Sequence, residues 1–505
     1  MDRRHFLAAA GSASLLGLNA CGGGGGGSST PAPPPPPTAG PDWTSLQGAI
    51  QGTVLLPANA AFIPAVQVFN AAYGAVPQAL VRCASASDVA QALSFARANK
   101  LVFTPRSGGH GYTGNSTTSG VVIDVGNMNT ITVGSGTATI GAGAKLVDIY
   151  DQLSTQGVCI PSGSCPTIGI AGITQGGGIG VVDRAYGLTC DSLVSAQVVL
   201  ADGSVVTCDA NTHSDLFWAL RGGGGGNFGI VTSLTFDTFV TSDVTSFSAA
   251  FAWADAASVI AAWQAWPQTL PDTVWSGMVL ATTAAAAPSI EISGTFIGSS
   301  ADFAPIWTQF LAATGATPTS QNVQTQSFHD TMLSSCGSLT VSECHLPSET
   351  SDGEVTRAAF VAASDFFNAE LPSAGIQALI AGVNAQQGVW ALTVIMDLMG
   401  GAIARVAPDA TAFVHRNAVF SAQYYMEGPV GTDPSEVSAA RGIVSGMRTA
   451  MNAWSSGECY QNYLDPNLSD WQTAYYGANY ARLVQVKAAY DPTGVFTQAQ
   501  GIPTQ

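Results

Sequence analysis

Three glycine-rich stretches in the first half of the chain constrain its fold most. They read SGGHG at 107–111, QGGGIG at 175–180 and RGGGGGNFG at 221–229. Glycine lets a backbone approach a ligand closely and adopt positive φ. One such stretch is an ordinary loop, whereas three in one region indicate a long ligand lying against bare backbone. None stands between a predicted strand and helix as a dinucleotide fingerprint would, and no P-loop or serine-hydrolase motif occurs.

Composition limits the partners of such a protein. The chain has 505 residues, 46% of them hydrophobic and only 10% charged, with a formal net charge of −17. This length allows two or three domains with a large buried core. Because nucleic-acid binding depends on neutralising phosphates with Lys and Arg, the acidic balance excludes nucleic acid as a partner. An anionic substrate would need a local basic patch.

The N-terminus predicts export. The segment MDRRHFLAAAGSASLLGLNAC at 1–21 has a pair of arginines before a short apolar run and ends in LNAC. This pattern resembles a twin-arginine signal with a lipoprotein cleavage box, and the run is too short to span a bilayer well. We expect a periplasmic or cell-surface protein, with membrane anchoring through lipidated Cys21 or, alternatively, a plain cleaved signal. A Gly/Pro-rich linker follows at 22–41.

Nine cysteines occur in the chain, and an oxidising compartment would allow some of them to pair. Cys336 and Cys344 are close enough in sequence to form a disulfide. Together with His345 they could also bind a metal ion, but their spacing matches no common site. The sequence therefore predicts no metal.

Short-range patterns predict a mixture of helices and strands. SASDVAQALSFARANK reads as a helix that Ser87 could cap, and AKLVDIYDQLSTQG as a second helix with Leu146, Ile149 and Leu153 inward. SAQVVLADGSVVTC predicts a hairpin that turns at Asp202-Gly203. The glycine-rich loops end near residue 238, so the middle of the chain reads as a second domain.

Four ordered motifs give the chain a specific resemblance. They are PRSGGHGYTG, GSCPTIGIAGITQGGGIG, ALRGGGGGNFGIVT and the C-terminal YQNYLDP segment that ends in DPTGVF. Together they resemble the berberine-bridge-enzyme-like family of FAD-linked oxidoreductases, within the vanillyl-alcohol-oxidase superfamily. The resemblance extends from Trp43 to the end of the chain.

This resemblance implies an α+β fold of the two-domain vanillyl-alcohol-oxidase type. The FAD-binding domain is expected to be discontinuous, with a first part at 42–238 and a C-terminal part at 456–505. The substrate domain, at 239–455, is expected to be an antiparallel sheet with helices that covers the flavin ring.

The resemblance also implies a covalent flavin. In the family, the His of the first motif and the Cys of the second both bond to FAD, and His110 and Cys165 hold those places. An imidazole and a thiolate are the nucleophiles that such attachment needs. Plant members often carry a His where this chain has Ile173, which puts one polar contact in doubt. The other residues expected to bind the cofactor are Arg106, Ser107, Gly108, Gly109, Gly111, Gly169, Gly172, Gly176, Gly177, Gly178, Gly180, Gly226, Ile230 and Asn462.

Four residues are expected at the reacting centre. In related members the Tyr of the C-terminal motif deprotonates the substrate, and Tyr463 holds its place. A tyrosine has a pKa near 10 in water, so it needs help to act as a base. Asp397, Gln423 and Tyr112 resemble such helpers, although Asp397 and Gln423 could equally be ordinary strand residues. Ile168 resembles the residue that lines the oxygen pocket, where the family's bulkier side chains tend to accompany dehydrogenases.

The expected reaction is hydride transfer from an alcohol or hemiacetal carbon to the flavin, with Tyr463 taking the hydroxyl proton. A carbohydrate oxidised to a lactone is the first choice of substrate, and a secondary metabolite or aromatic alcohol is the second. The electron acceptor is oxygen or a quinone-type carrier. A different class also stays open, a surface lipoprotein that keeps the fold but only binds a glycan or a partner.

Overall fold

The computed structural model describes residues 40–283, 286–386 and 390–505. Within it, residues Trp43–Gln505 form one compact unit. The predicted signal at 1–21 and residues 22–39 of the predicted linker lie outside the described residues.

Strands β1 to β11 belong to three sheets in the first part of the chain. Their bounds are β1 Thr53–Leu55, β2 Ala79–Arg82, β3 Phe103–Arg106, β4 Val121–Asp124, β5 Ile131–Val133, β6 Thr137–Gly141, β7 Val158–Cys159, β8 Leu193–Val199, β9 Val205–Asp209, β10 Ile230–Asp237 and β11 Phe239–Val240. One sheet has the order β1-β2-β4-β3, the second β5-β6-β10-β8-β9, and the third pairs β11 with β7.

Strands β12 to β18 form a single sheet in the middle of the chain. Their bounds are β12 Val244–Phe251, β13 Val274–Thr283, β14 Ala286–Ile297, β15 Ser320–Gln326, β16 Ala359–Phe367, β17 Ala391–Leu398 and β18 Phe420–Gly428. The order is β15-β12-β14-β13-β17-β18-β16, and the neighbouring strands pair antiparallel. The predicted antiparallel sheet is therefore confirmed.

The α-helices connect and cover these sheets. Their bounds are α1 Trp43–Ala49, α2 Phe62–Val66, α3 Ala86–Ala98, α4 Leu146–Ser154, α5 Ile170–Gln175, α6 Asp183–Tyr186, α7 Ser214–Ala219, α8 Ala256–Ala265, α9 Ser300–Thr314, α10 Phe328–Leu333, α11 Ser373–Ala385, α12 Ala402–Arg405, α13 Pro434–Met451, α14 Trp471–Tyr476 and α15 Tyr480–Tyr490. Short 3₁₀ turns lie at Thr189–Asp191, Trp253–Asp255, Trp266–Gln268, Ser334–Cys336 and Gly477–Asn479.

The local predictions agree with these elements, with one correction. The N-cap of α3 is Ser85, whose Oγ accepts a hydrogen bond from Asp88 N at 3.2 Å, so the prediction of Ser87 as the cap was wrong. Ser87 lies inside the first turn, where its backbone is already helical. In α4, Leu146, Ile149 and Leu153 are fully buried as predicted. The hairpin at Asp202-Gly203 joins β8 to β9.

Two large apolar cores underlie this architecture. The first contains Val81, Ile140 and Val198 from the early strands, and also Leu483 and Phe496 near the C-terminus. The end of the chain thus returns to the core that its first half builds, which is the arrangement expected of a discontinuous domain. Burial of apolar surface is the dominant force that holds such distant segments together.

The second core lies between the seven-stranded sheet and the helices α8, α9, α11 and α13. Alternate residues of β17, such as Leu392, Val394 and Met396, are buried in this core. The intervening residues of β17 must face the other side of the sheet, because side chains alternate along a strand. That free face positions the site described below.

A disulfide-closed segment fastens the middle of the chain to the first core. Cys336 and Cys344 are bonded, as their proximity in sequence allowed. On either side of them, α10 packs on α4, and His345 Nε2 lies 3.1 Å from Asp148 Oδ2. Within the described part of the chain, no three His, Cys, Asp or Glu side chains are grouped to hold a metal ion. The described helices are also all too short or too polar to cross a membrane.

Candidate active site

A cavity of about 580 Å³ lies between the glycine-rich loops and the free face of the seven-stranded sheet. This volume falls within the range of about 300–1,000 Å³ that is usual for small-molecule sites. Residues of all three glycine clusters and of the C-terminal motif reach its wall. The four segments that carry the family resemblance therefore meet at one site.

The first glycine cluster requires glycine at position 108 because two backbones cross there. A Cβ on Gly108 would lie 2.1 Å from Gly169 N, which no real structure tolerates. Gly109 adopts a φ of +71°, a conformation that favours glycine. Its carbonyl accepts a hydrogen bond from Phe69 N at 3.0 Å. The loop is thus fixed tightly on one side and open to the cavity on the other.

His110 follows Gly109 and faces this cavity. Its ring stacks on Phe69 with centroids 4.1 Å apart, and its Nε2 lies 2.8 Å from Thr167 Oγ1. Burial, assisted by the positive charge of Lys145, lowers the pKa of His110 to about 3. The imidazole is therefore neutral at physiological pH. With Nε2 engaged by Thr167, Nδ1 is the ring nitrogen to which no described residue is hydrogen-bonded.

Cys165 lies two residues before Thr167, the residue that contacts His110, and lines the same cavity. Its surface is open to the cavity, but protein atoms surround the thiol closely enough that desolvation raises its pKa. Cys165, Tyr112 and Tyr463 line the same cavity, and a thiolate at 165 would raise the pKa values of both phenols. The imidazole of His110 and the thiol of Cys165 therefore both lie in the wall of the cavity.

Arg106 anchors the start of the first loop. Its Nε donates to Asp124 Oδ2 at 2.6 Å, and its Nη2 donates to Ala65 O at 2.7 Å. Because the arginine is paired, its charge is largely compensated inside the protein. One nitrogen, Nη1, is buried and has no partner among the described residues, and Arg106 lines the cavity.

The second glycine cluster packs against the C-terminal motif. A Cβ on Gly176 would lie 1.9 Å from Asn462 Oδ1, and Gly178, at φ +92°, donates from N to Tyr460 Oη at 2.9 Å. Asn462 Nδ2 donates both to Tyr460 Oη at 2.9 Å and to Ile173 O at 3.1 Å. These contacts fix the chain immediately before Tyr463.

The third glycine cluster holds the same motif from another side. Gly222 has a φ of +121°, and its carbonyl accepts a hydrogen bond from Gln461 Nε2 at 2.7 Å. Gly222 N and Gly224 N both donate to Gln175 O, at 3.0 and 2.8 Å. The clusters are thereby linked to each other as well as to the motif.

Tyr463 itself stands in a group of aromatic rings. It stacks with Tyr112 at a centroid distance of 5.0 Å and meets Tyr460 edge-on at 4.8 Å. Burial raises the pKa of Tyr463 well above 10, and the negative charges of an ionised Tyr112 and of Asp397 raise it further. The surrounding protein therefore does not produce a free tyrosinate. A proton leaving a substrate through Tyr463 needs a second acceptor.

Asp397 is the candidate for this second proton acceptor. It lies on β17 opposite Gly277 and Ser421, on the free face of the sheet, and lines the cavity. Burial without a charged partner raises the pKa of Asp397 to about 6. It is thus mostly ionised at neutral pH. It lines the same cavity as Tyr463, and its negative charge raises the pKa of that phenol.

Gln423 lies on the adjacent strand β18, opposite Ile395. Its Nε2 donates to Tyr112 Oη at 2.8 Å, a contact that joins the sheet to the residue two positions after His110. Burial raises the pKa of Tyr112, so its hydroxyl remains protonated and free to donate into the cavity. The four residues expected at the reacting centre are brought together by the fold.

The wall also offers buried polar atoms without partners. Gln175 Oε1, Gln461 Oε1, Asn115 Oδ1 and Arg106 Nη1 are all buried, line the cavity and have no hydrogen bond to the described residues. Leaving such groups unpaired costs free energy, so their arrangement fits a polar ligand. A Cβ on Gly172 would meet nothing within 4 Å, which leaves its backbone open to that ligand. These features fit an elongated cofactor such as FAD.

Most of the residues expected at the cofactor lie in the wall of the cavity. Those that line it are Arg106, Ser107, Gly108, Gly109, His110, Gly111, Cys165, Gly169, Gly172, Gly180, Gly226, Ile230 and Asn462. Ile168, expected at the oxygen pocket, also lines the cavity. Gly176, Gly177 and Gly178 do not line it. They stand behind the wall, where the absence of side chains admits Asn462, Phe413 and Thr189. Ile173, where plant members often carry His, lines the cavity with an apolar side chain.

Several lining residues were not expected from the sequence. They are Phe69, Trp275, Phe360, Ile395, Tyr425 and Glu427, of which the last five lie on strands of the seven-stranded sheet. The sequence signal that could have indicated some of them is the alternation of side chains along a strand. Gln423, Tyr425 and Glu427 occupy every second position of β18 and therefore share a face. Alternation shows which residues share a face, but it cannot show which face of the sheet is covered by another domain.

Comparison with known proteins identifies the class. An FAD binding domain model matches residues 77–209, and a berberine and berberine-like model matches residues 459–503. The chain is 34% identical to the FAD-linked oxidoreductase YgaK of Bacillus subtilis over 438 residues, or 85% of this chain and 91% of that protein. It is therefore an FAD-linked oxidoreductase, as the site suggests.

Two further comparisons narrow the class to a family. The chain is 28% identical to the chitooligosaccharide oxidase of Gibberella zeae over 448 residues, covering 84% of this chain and 87% of that one. The structure of the Physcomitrella patens BBE-like 1 protein superposes with a TM-score of 0.83 at 27% identity, covering 92% and 99% of the two chains. The chain belongs to the berberine-bridge-enzyme-like family, and the predicted family and two-domain α+β fold are confirmed.

Proposed function

We propose that this protein oxidises a carbohydrate hemiacetal to a lactone, using an FAD that is bonded to both His110 and Cys165. The observation that carries the proposal is that the glycine-rich loops and the free face of the seven-stranded sheet line one cavity. Tyr463, Tyr112 and Asp397 line the same cavity as His110 and Cys165, which come from two different segments of the chain. A site that only bound a glycan would have no need of an unpaired carboxyl beside a buried phenol.

The glycine loops would hold FAD, which supplies the acceptor for a hydride from the substrate carbon. His110 is suited to attachment because its imidazole is neutral and its Nε2 is already oriented by Thr167. Cys165 must lose its proton before it can act as a nucleophile, since burial raises the pKa of the thiol. Two links would keep the cofactor in place in the dilute exterior to which the signal sequence would send the protein.

Tyr463 and Asp397 together can remove the hydroxyl proton of the substrate. The phenol alone is a poor base, because its pKa is raised and it stays protonated at neutral pH. The carboxylate of Asp397, with a pKa of about 6, can receive the proton that Tyr463 passes on. Positioned groups of this kind contribute about 10²–10⁴-fold to a reaction rate.

The lining supports a carbohydrate as the substrate. Trp275, Tyr425 and Phe360 offer flat apolar faces, while Gln423 and Asp397 offer polar groups beside them. A sugar ring presents both kinds of surface, and the related chitooligosaccharide oxidase carries an oligosaccharide in its name. Reduction of the flavin by a panel of neutral oligosaccharides, compared with aromatic alcohols, tests the proposal. Reduction by aromatic alcohols alone would replace the carbohydrate with the second class of substrate.

Export and anchoring complete the proposal. The twin-arginine pattern and Cys21 suggest a periplasmic or cell-surface enzyme tethered by a lipid, with residues 22–41 as the spacer. Mass measurement of the N-terminal peptide from membrane-extracted protein tests this part. A lipid-modified Cys21 is expected, whereas an unmodified mature N-terminus elsewhere would support a soluble exported form.

The pH dependence of flavin reduction should report Asp397. Because the pKa of Asp397 is raised to about 6, its carboxylate forms as the pH rises through that value and is lost below it. We expect the rate of flavin reduction to fall as the pH drops below about 6 and to level off above it. Asp397→Asn should abolish this acid limb, measured by rapid mixing under anaerobic conditions. An unchanged limb in the variant would assign it to another group.

The electron acceptor should depend on Ile168. This side chain lines the cavity three residues after Cys165, where its bulk would restrict the space beside a bound flavin. We propose slow reaction with oxygen and faster turnover with a quinone-type carrier, because close-packed interiors respond to a single methylene. In Ile168→Val, enzyme reduced with dithionite should be reoxidised by oxygen faster than wild type. Ile395→Val makes the same change on the opposite wall and should leave reoxidation unaltered.

If wild type reoxidises as fast as Ile168→Val, the side chain does not restrict oxygen. The protein would then be an oxidase that forms hydrogen peroxide. A peroxide assay during turnover would give an independent measurement of this outcome.

A further inference from the structure

Glu427 lines the cavity at a place that neither the reaction nor the cofactor explains. It lies near the end of β18, on the same face of the sheet as Gln423 and Tyr425. Since an antiparallel strand rises about 3.4 Å per residue, Glu427 stands about 14 Å along the strand from Gln423. It is thus well removed from Tyr112, to which Gln423 is bonded.

The carboxylate of Glu427 is exposed yet oriented. Its Oε2 accepts a hydrogen bond from Tyr425 Oη at 2.7 Å, and Tyr425 packs against Phe360 with ring centroids 5.4 Å apart. Glu427 forms no ion pair with any described residue within 4.0 Å. The charge is therefore uncompensated and held by an aromatic side chain that also lines the cavity.

The other charges in the wall do not balance it. Among the described residues that line the cavity, the charged side chains are Arg106, Asp397 and Glu427. Arg106 belongs to the first glycine loop and is ion-paired with Asp124. The half of the cavity formed by the sheet therefore carries carboxyl groups and no basic group. In a cleft of this kind, fixed charges of one sign repel ligands of the same sign.

We propose that Glu427 selects substrates by charge, so that the protein accepts neutral and cationic oligosaccharides and discriminates against anionic ones. This inference rests on the proposed oxidation of a carbohydrate. The reacting sugar lies between Tyr463 and Asp397, and the sugars attached to it extend along β18 towards Glu427. A uronate on one of them meets a like charge, whereas an amino sugar meets an opposite one.

The test uses oligosaccharides of equal length with glucose at the reacting end. The remaining sugars are glucose, glucosamine or glucuronate, and kcat/KM is measured for each. Repulsion between two like charges that meet in a partly solvated cleft supports a preference for the neutral over the anionic substrate of about five- to tenfold at low salt. The preference should shrink as the ionic strength rises, because salt screens exposed charges.

Glu427→Gln removes the charge and keeps the size of the side chain. We expect this variant to lose the discrimination against glucuronate while its rate with the neutral substrate stays within about twofold, since the interaction is electrostatic. Glu291→Gln is the matched control. Glu291 is an exposed glutamate on β14 of the same sheet, outside the cavity, and its replacement should leave the preference intact.

The outcomes separate this inference from the proposed function. If none of the three sugars reduces the flavin, the oxidation of carbohydrates fails. If all three react equally well in wild type, or if Glu427→Gln retains the full discrimination, the charge selection by Glu427 is wrong and the oxidation of carbohydrates stands. Equal changes in Glu427→Gln and Glu291→Gln would mean that net charge, and not this position, governs the preference.

Discussion

Tyr463→Phe is expected to slow flavin reduction by about two to four orders of magnitude, the usual contribution of a positioned proton acceptor. The substitution keeps the ring that stacks on Tyr112 at 5.0 Å and removes only the hydroxyl group. Folding and flavin content should be unchanged, because no described residue is hydrogen-bonded to the Tyr463 hydroxyl. The rate is measured by anaerobic rapid mixing with a substrate found in the oligosaccharide panel.

Tyr480→Phe provides the control for this result. Tyr480 is a partly buried tyrosine in α15 that does not line the cavity, so the loss of its hydroxyl should leave the reduction rate unaltered. A reduction rate in Tyr463→Phe equal to that of wild type would contradict the proposed proton transfer. Asp397 would then be the remaining candidate for the direct base.

The second large effect is expected when both attachment residues are removed. His110→Ala and Cys165→Ala should each retain covalent flavin through the other link, because the two side chains lie on segments joined by the His110–Thr167 contact. The double variant should release all its flavin when the protein is denatured in acid. The measurement is the division of yellow colour between pellet and supernatant, with in-gel flavin fluorescence as a second readout.

A matched double variant tests whether the loss is specific. His213→Ala with Cys208→Ala removes one imidazole and one thiol outside the cavity and should leave the pellet yellow. Circular dichroism of the double variant at 110 and 165 shows whether it folds. Covalent flavin that persists in this variant would show that another side chain forms the link. A colourless pellet from wild type would favour a protein that only binds a glycan or partner.

The sequence predicted much of this site because its motifs are local. In each of the motifs SGGHG, GSCPT and YQNY, the residue with the predicted role stands next to the residues that shape its loop. A short stretch of sequence therefore contains both the functional group and the backbone that positions it. The positive φ of Gly109 and the crossing at Gly108 are direct consequences of composition. For the same reason, the helix at 146–154 and the hairpin at 202–203 could be predicted from their own residues.

The sequence could not assign a task to every glycine. Gly176, Gly177 and Gly178 were expected at the cofactor, yet they admit Asn462, Phe413 and Thr189 from distant segments. The missing side chain of a glycine makes room equally well for a ligand and for another segment of the protein. Only the packing of the chain decides whether a ligand or another backbone fills the space. The N-cap of α3 was mispredicted for a similar reason. Two serines near the start of the helix could each act as the N-cap, but Ser85 is the one with the extended backbone that an N-cap has.

By itself, the sequence determined the family and predicted the roles of His110, Cys165 and Tyr463. These depend on residue identity within short motifs. Only the tertiary structure decided which face of the seven-stranded sheet covers the glycine loops, and hence that Asp397, Trp275 and Glu427 share a cavity with them. The physical reason is that strand alternation defines two faces of a sheet but does not show which of them is buried by helices. Burial of apolar side chains against α8, α9, α11 and α13 covers one face and leaves the other for the cavity.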